Sequence, residues 1–495
     1  MAGVRLVERA ARFADRRALV GAEGALTYRE LLDRSAAEAA VLLDGRRDLR
    51  EARVVFLRPP GIDYVAWQWA IWRAGGVAVP LSASQAPAEW EHVVEDTGAA
   101  IVVGDGGDGP LGAIAAAHGA RLVGGAAPAG SPGPDIALPE VTADRRAMIL
   151  FTSGTTSRPK GVVTTHAQIE AQIATLVGAW GWTAEDHALE VLPLNHVHGI
   201  VNVLGCALWS GAVCEFLWPF DAARLWRRLA AGGPTLLMAV PTMYAKLLAA
   251  WEAAPADDRA AWSSAAGRLR LMVSGSAALP VPLLERWRAA TGHVLLERYG
   301  MTEIGMALSN PLAGERRPGH VGAPLPGVEV RLVDEAGGVV PPGAPGEIEV
   351  RGPGVFLEYW GRPEATRDAF RGGWFRTGDV AACEDGSYRI LGRLSVDIIK
   401  TGGYKVSALE IEDVLRRHPA VRECAVVGVP DQEWGERVAA AVVAAPGAGV
   451  TLESLRAFAG PRLASYKLPT RLASVGDLPR NAMGKVVKAR VRELF

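Results

Sequence analysis

After a short apolar segment, Ala147 to Phe151, the chain reads Thr152, Ser153, Gly154, Thr155, Thr156, Ser157, Arg158, Pro159, Lys160 and Gly161. Glycine lets a backbone approach a ligand closely, and amides, hydroxyls and a lysine can together wrap a chain of phosphate oxygens. The common nucleoside-triphosphate loop needs Gly-x-x-x-x-Gly-Lys-Ser/Thr running straight into a helix. Here Pro159 precedes the lysine, and Gly161-Val162-Val163 continues as a strand. The spacing predicts a hairpin whose loop lies over a triphosphate. A plain polar surface hairpin is the alternative, and it leaves the hydroxyl density beside Pro-Lys-Gly without a purpose.

Other clusters gain meaning beside that loop. Arg298-Tyr299-Gly300-Met301-Thr302-Glu303 puts an aromatic ring, a glycine, a hydroxyl and a carboxylate in one expected short turn. A carboxylate near a triphosphate suits Mg²⁺, which takes oxygen ligands and neutralises phosphate charge. Asp379, in Gly373-Trp374-Phe375-Arg376-Thr377-Gly378-Asp379, could grip both hydroxyls of a ribose, and Arg393 follows it. Pro479-Arg480-Asn481-Ala482-Met483-Gly484-Lys485 supplies one lysine on a glycine-bearing loop. Singly, Glu303 and Asp379 read equally as caps, Arg393 as a surface ion pair and Lys485 as a solvated tail. Arg298 is open as well. It either pairs with Glu297 or another protein carboxylate, or it enters a pocket, where an unpaired guanidinium is costly. His196, His198, Ser274 and Ser276 are candidate partners in that pocket. A metal role for the two histidines is disfavoured, since no third ligand lies nearby in sequence.

The elements that must carry these residues fit a long α/β chain. At 495 residues the chain exceeds one ordinary core, so several domains or subdomains are expected. Lys and Arg number 53 against 54 Asp and Glu, so no global charge draws the chain to nucleic acid or an anionic membrane. No apolar run reaches membrane-span length. The Arg-rich start, Met1 to Arg17, resembles a transit peptide in composition, but Glu8 and Asp15 argue against one. Cys206, Cys214, Cys383 and Cys424 have no paired spacing and read as reduced core residues of a cytoplasmic protein. Thr27-Tyr28-Arg29-Glu30 is a capping box for a helix toward Leu43. Val54 to Leu57, a helix capped by Asp63 through Trp72, a Gly75-Gly76 stop and Val77 to Val79 make a β-α-β unit. Trp67, Trp69 and Trp72 are expected to pack there rather than stack on a ligand. Residues 104–139 read as sheet edge and surface loop, and Ala188 to Tyr244 as a second alternating region. Short β segments begin near Gly327, and a compact α+β unit of about 100 residues closes the chain.

In this order the motifs resemble the adenylate-forming enzymes of the acyl-CoA synthetase superfamily, over Ala18 to Lys488. Met272 to Pro280, Leu296 to Pro311 and Asp397 to Leu409 are most similar to malonyl-CoA synthetases. The resemblance implies a large N-terminal domain of two α/β subdomains and a small β-barrel, 1–392. A hinge at 393–396, centred on Ser395, would join it to a mobile α+β domain, 397–495. It implies ATP, Mg²⁺ and coenzyme A: a carboxylate forms an acyl-adenylate, then the thiol forms the thioester. Residue by residue, Thr152, Ser153, Gly154, Thr155, Thr156 and Lys160 cradle the β- and γ-phosphates. Gly275, Ser276 and Ala277 line the adenine, Asp379 and Arg393 hold the ribose, and Tyr299, Gly300, Met301 and Thr302 complete the nucleotide site. Glu303 holds Mg²⁺. Lys485 bridges acyl carboxylate and α-phosphate, with Thr302, Glu303 and His198 beside it in the catalytic set. Gly402, Gly403 and Tyr404 line the thiol channel in the second step. Relatives using uncharged acids often carry a small or neutral residue where Arg298 stands, so Arg298, His198 and Ser274 imply a dicarboxylate, malonate or methylmalonate. Ser395 departs from the Asp or Lys common at the hinge, and Arg393 to Gly403 is one residue longer than in many relatives. Partners expected are small molecules only, with a monomer or homodimer. The alternatives are a CoA ligase for another short- or medium-chain acid, or a protein that loads a separate carrier.

Overall fold

A computed structural model describes residues 3–105, 109–125, 137–152, 159–402, 404–480 and 485–495. The first β-α-β unit forms as its pattern demands. Thr27 and Glu30 make the reciprocal capping box of the helix Tyr28–Leu43. Arg53–Phe56 leads into the helix Ile62–Arg73, Gly75 turns the chain at φ +79°, and Val77–Pro80 returns parallel to the first strand. Asp63 does not cap that helix. Gly61 takes the N-cap position, and Asp63, one residue inside the first turn, is drawn 2.5 Å from Arg34 Nη2 instead. Trp67, Trp69 and Trp72 are buried, and Trp72 Nε1 donates to the Ala147 carbonyl at 2.7 Å. Residues 104–139 do supply an edge strand, Arg121–Val123, but also the helix Pro110–Ala117. Its proline suits a first helical turn, and its apolar Leu111 and Ile114 are buried.

The described residues build four sheets. One seven-stranded sheet runs in the order Glu358–Tyr359, Lys160–Thr165, Arg146–Thr152, Val77–Pro80, Arg53–Phe56, Ile101–Val103, Arg121–Val123. A nine-stranded sheet contains, as neighbours, Gly305–Ser309, Leu296–Met301, Leu271–Ser274 and Leu236–Ala239. One apolar cluster draws on both sheets, Phe56 and Met148 from the first, Leu236 and Val273 from the second. A third, antiparallel sheet of five strands packs its own core around Ile348, Val350 and Phe375. It stands where a small barrel is expected, but no pairing among the described residues closes it into one. The fourth sheet, beginning at Ile398–Thr401, has Ala408–Leu415 and Leu452–Ala459 on one face and Lys488–Arg492 on the other. A large N-terminal α/β assembly and a small C-terminal α+β unit are therefore present. The cysteines are free, with Cys206, Cys214 and Cys424 buried and Cys383 half-buried.

Candidate active site

The strands on either side of the hydroxyl-rich segment do pair as a hairpin. Arg146–Thr152 and Lys160–Thr165 pair antiparallel with Thr152 opposite Lys160. Ser153, Gly154, Thr155 and Thr156 lie outside the described residues. The short strand Glu358–Tyr359 pairs with the outer edge of the hairpin. It puts the Tyr359 ring 5.1 Å from Lys160 Nζ, and the Tyr359 hydroxyl donates to Glu303 Oε1 at 3.0 Å. Sequence reading missed Tyr359, whose partners lie far away along the chain.

Arg298 to Glu303 does not form one turn. Leu296–Met301 is a strand, parallel to Leu271–Ser274 and antiparallel to Gly305–Ser309, and only Thr302, Glu303 and Ile304 turn. The parallel ladder holds Leu296 and Glu297, the antiparallel one holds Arg298 to Met301 extended, and alternation then sends successive side chains to opposite faces. Gly300 is required by this pairing, since a Cβ there would stand 2.1 Å from the Gly305 carbonyl oxygen. Glu303 is buried, and desolvation raises its carboxyl pKa above the ordinary value. No ion pair neutralises it among the described residues, which contain no three-carboxylate or histidine metal cluster. One buried carboxylate beside the Lys160 hairpin has the oxygen chemistry that fits Mg²⁺, which keeps waters and takes its other ligands from phosphate.

Asp379 and Arg393 meet across a second hairpin, Trp374–Glu384 with Ser387–Arg393. Arg393 Nε donates to Asp379 Oδ1 at 2.9 Å, and the Tyr299 hydroxyl donates to Oδ2 at 2.7 Å. Tyr299 thereby fixes the carboxylate from a strand of a different sheet, the nine-stranded one. Met301 and Thr302 are half-buried beside it in sequence, and Ala277 is exposed.

Arg298 is 3 % exposed, and its Nε and Nη2 have no hydrogen-bond partner. Burial pushes its pKa down to about 9. Its guanidinium lies against Gly275, where a Cβ would come within 2.5 Å of Cζ, so the glycine makes room for it. Ser274 Oγ and His198 Nε2 are likewise buried without partners. His198 Nδ1 faces Ser276 Oγ at 3.1 Å, with Ser276 held at φ +66°. His198 opens a wide π-type helix, His198–Gly205, a geometry that is rare and often marks functional sites. Burial first, then Arg298, His196 and Lys485, push the His198 pKa well down, so the imidazole is neutral. Burial and Lys485 likewise lower His196 to about 4. Glu297 does not pair with Arg298. Strand alternation turns it to the other face, where Oε1 accepts the Leu279 N–H at 2.9 Å and burial raises its pKa to about 8. Four residues beyond His198, Asn202 is fully buried with both amide atoms unpartnered, a group that sequence reading overlooked.

Lys485 comes to this same place from the far end of the chain. It keeps solvent access in a cleft crowded by protein. That desolvation, then Arg393 and Arg298, lower its pKa. Gly402 and Tyr404 face their own domain instead. A Cβ on Gly402, at φ +55°, would meet the Trp434 ring at 2.8 Å, and Tyr404 stacks on Tyr466 at 4.2 Å. Gly403 lies outside the described residues. Ser395 is exposed in the turn 394–397, where Asp397 Oδ2 accepts the Arg393 N–H at 3.1 Å.

The family described as AMP-binding enzyme matches residues 6–360, and the AMP-binding enzyme C-terminal domain matches 410–485. The mitochondrial malonate–CoA ligase ACSF3 of Mus musculus is 48% identical, covering 97% of this chain and 88% of its own. ATP-bound MatB from Rhodopseudomonas palustris superposes with a TM-score of 0.90 at 36% identity, over 100% of this chain and 99% of that one. A malonyl-CoA ligase ternary product complex with methylmalonyl-CoA and AMP gives 0.69 at 39% identity, over 94% and 97%. At similar identity, the arrangement of this chain is thus nearer to the ATP-bound structure than to the product complex.

Proposed function

Because this chain belongs to the AMP-binding enzyme family, we propose that it is an ATP-dependent malonate–CoA ligase that works through a malonyl-adenylate. The observation that carries the substrate is Arg298, a buried cation with unmet donors, packed against Gly275 and close to neutral His198. A monocarboxylate leaves that charge unpaired, whereas a second carboxylate removes the penalty and accepts charge-assisted hydrogen bonds. Methylmalonate has the same two carboxylates and is the expected secondary substrate.

A carboxylate is a poor acyl donor because its leaving group would be oxide. In the first step one carboxylate oxygen of malonate attacks the α-phosphorus of ATP, and the bond to pyrophosphate breaks. In the second, the coenzyme A thiolate attacks the adenylate carbonyl and AMP leaves. Two anions must meet in the first step, so fixed positive charge is the main requirement. Lys485 supplies it between the acyl carboxylate and α-phosphate, and Thr152 to Lys160 wrap the β- and γ-phosphates. Asp379 accepts from the ribose hydroxyls, with Arg393 and Tyr299 holding its carboxylate. Gly275, Ser276 and Ala277 border the base. Thr302 and neutral His198 position the reacting carboxylate and α-phosphate. Glu303, kept in place by Tyr359, would hold Mg²⁺, which when bound neutralises phosphate charge. The desolvated cleft lowers the Lys485 pKa, yet each arriving anion favours its charged form.

A domain rotation about 393–396, with Ser395 exposed in the turn, would bring Gly402, Gly403 and Tyr404 to the adenylate for thioester formation. The nearness of Lys485 to Arg298 and Arg393, and the greater likeness to an ATP-bound relative, support reading the present arrangement as the adenylating one. The four cysteines are free, three of them buried, which supports a reducing compartment, the cytoplasm or the interior of an organelle. A monomer or homodimer needs nothing further for the site. The test is AMP release with coenzyme A and a panel of malonate, methylmalonate, succinate, acetate and octanoate. Malonate should give the highest kcat/KM. Release of ADP, or preference for an uncharged acid, would overturn the proposal.

A further inference from the structure

Three residues beyond Lys485, Lys488 opens the helix Lys488–Arg492, and its ammonium is buried rather than solvated, with the side chain 11% exposed. It contacts Glu412, donates to the Val426 carbonyl at 2.7 Å and faces Asp397 Oδ1 at 3.5 Å. Glu412 is itself fixed: Oε1 accepts the Val426 N–H at 2.8 Å, and Oε2 accepts from Arg416 at 2.7 Å. Asp397 is the unusual member, because it ends the turn that links the two domains. Its Oδ2 takes the Arg393 N–H at 3.1 Å, and Arg393 Nε holds Asp379 at 2.9 Å. The turn is packed tightly at this point. Gly392 has φ +128°, and a Cβ on it would stand 2.4 Å from Asp397 Cβ. The segment carrying Lys485 is anchored by residues on either side of it in sequence. Val487 N donates to Pro479 O at 2.8 Å, Arg480 pairs with Val486 across an isolated bridge, and Arg480 also contacts Glu423.

A continuous set of contacts therefore runs from the Lys485 segment, through Lys488 and Asp397, to Arg393 and Asp379. We propose that Lys488 is a positioning residue for the adenylation step. It ties the base of the Lys485 hairpin to the interdomain turn, so that Lys485 is registered against the ribose pair. The inference rests on the adenylating role of Lys485 given above. Lys488 itself touches no substrate; it acts through Asp397 and the backbone it pins. A charge buried only to hold the C-terminal domain together would affect both half-reactions alike, and that difference makes the two roles separable.

The experiment measures two half-reactions on the full chain: ATP–pyrophosphate exchange with malonate, and thioester formation from supplied malonyl-adenylate and coenzyme A. Lys488→Met should lower exchange by about tenfold or more, the usual consequence of a small misplacement of a reacting group, while thioester formation stays within about threefold. Lys488→Arg should recover part of the exchange. Asp397→Asn removes the charge at the turn while leaving Glu412 intact. It should reduce exchange selectively, and combining it with Lys488→Met should add little, because both cut the same link. Exchange unchanged in Lys488→Met, or both half-reactions falling together in step with thermal stability, would overturn the inference. If Lys488→Met does not fold, Asp397→Asn decides alone, and unchanged exchange sinks the proposal. Lys485→Ala run in parallel separates the two layers. If it fails to split the half-reactions, the adenylating role of Lys485 is wrong. If it splits them and the Lys488 and Asp397 variants do not, only the present inference fails.

Discussion

The acid pocket around Arg298 and the charge cluster around Glu412 bury similar groups and treat them in opposite ways. In the cluster each carboxylate oxygen of Glu412 meets a cation, and Oε1 also takes a backbone N–H. Its pKa is held below the ordinary carboxylate range, because Lys488 and Arg416 outweigh the effect of burial. Arg298 keeps two donors without partners among the described residues, and His198, close to it, adds an unmet ring nitrogen. Buried polar groups are nearly always satisfied in native structures, so a group of exceptions marks a place where something else completes the bonding. The satisfied cluster needs no ligand to complete its bonding, and the unsatisfied one is where the proposed second carboxylate would do so.

The contrast can be broken most severely on the satisfied side. Glu412→Leu takes the shared carboxylate from the buried Lys488 and Arg416, leaving them only the longer contacts to Asp397 and Asp413, and should cost about 3–5 kcal/mol in denaturant unfolding. Loss under 1 kcal/mol would show that the cluster is not structural. Next comes Lys485→Ala, which should reduce ATP–pyrophosphate exchange at least about a hundredfold, near 3 kcal/mol of transition-state stabilisation. Thioester formation from supplied adenylate should survive. On the unsatisfied side the sign reverses. Arg298→Met removes a buried charge that has no partner, so it should leave unfolding stability unchanged or raise it by about 1 kcal/mol while activity on malonate collapses. Clear destabilisation would mean that Arg298 has a structural partner.

A smaller effect comes from Glu297, on the opposite face of the same strand. Its folded pKa of about 8 lies above the unfolded value, with burial the main cause and Asp413 adding to it. The folded state then binds the extra proton, and stability falls as pH rises toward 8, by up to about 1.4 kcal/mol per pH unit in that window. Glu297→Gln can keep the bond to the Leu279 N–H and should remove that decline. Parallel pH–stability curves for the two proteins would contradict the assignment.

What could be read from the sequence was local. The Thr152–Gly161 hairpin, the Thr27 capping box and the first β-α-β unit each depend on residues a few positions apart. The Arg298–Glu303 segment reads as a turn in sequence because the extended form of Arg298 to Met301 is imposed by pairing with Gly305–Ser309, which no pattern within the segment reveals. Asp63 failed as a cap for a similar reason, since Arg34 from another helix holds it. Tyr359 and Glu303 are 56 residues apart, and Lys488 and Glu412 are 76 apart. Such pairs become visible only once the sheets bring them together. Asn202 carried a weak signal, a polar residue four positions after His198 in an otherwise apolar stretch, and only its missing partners give it weight.

The central claim is that Arg298 reads a second carboxylate, and it is tested by kcat/KM for malonate and for butyrate on the wild-type protein and on Arg298→Ala. Wild type should strongly prefer malonate. The substitution should lower malonate by about 2–4 kcal/mol, the usual cost of breaking a buried charge pair, with butyrate unchanged or improved. Equal losses for both acids would make Arg298 structural, and a wild-type preference for butyrate would contradict the account outright.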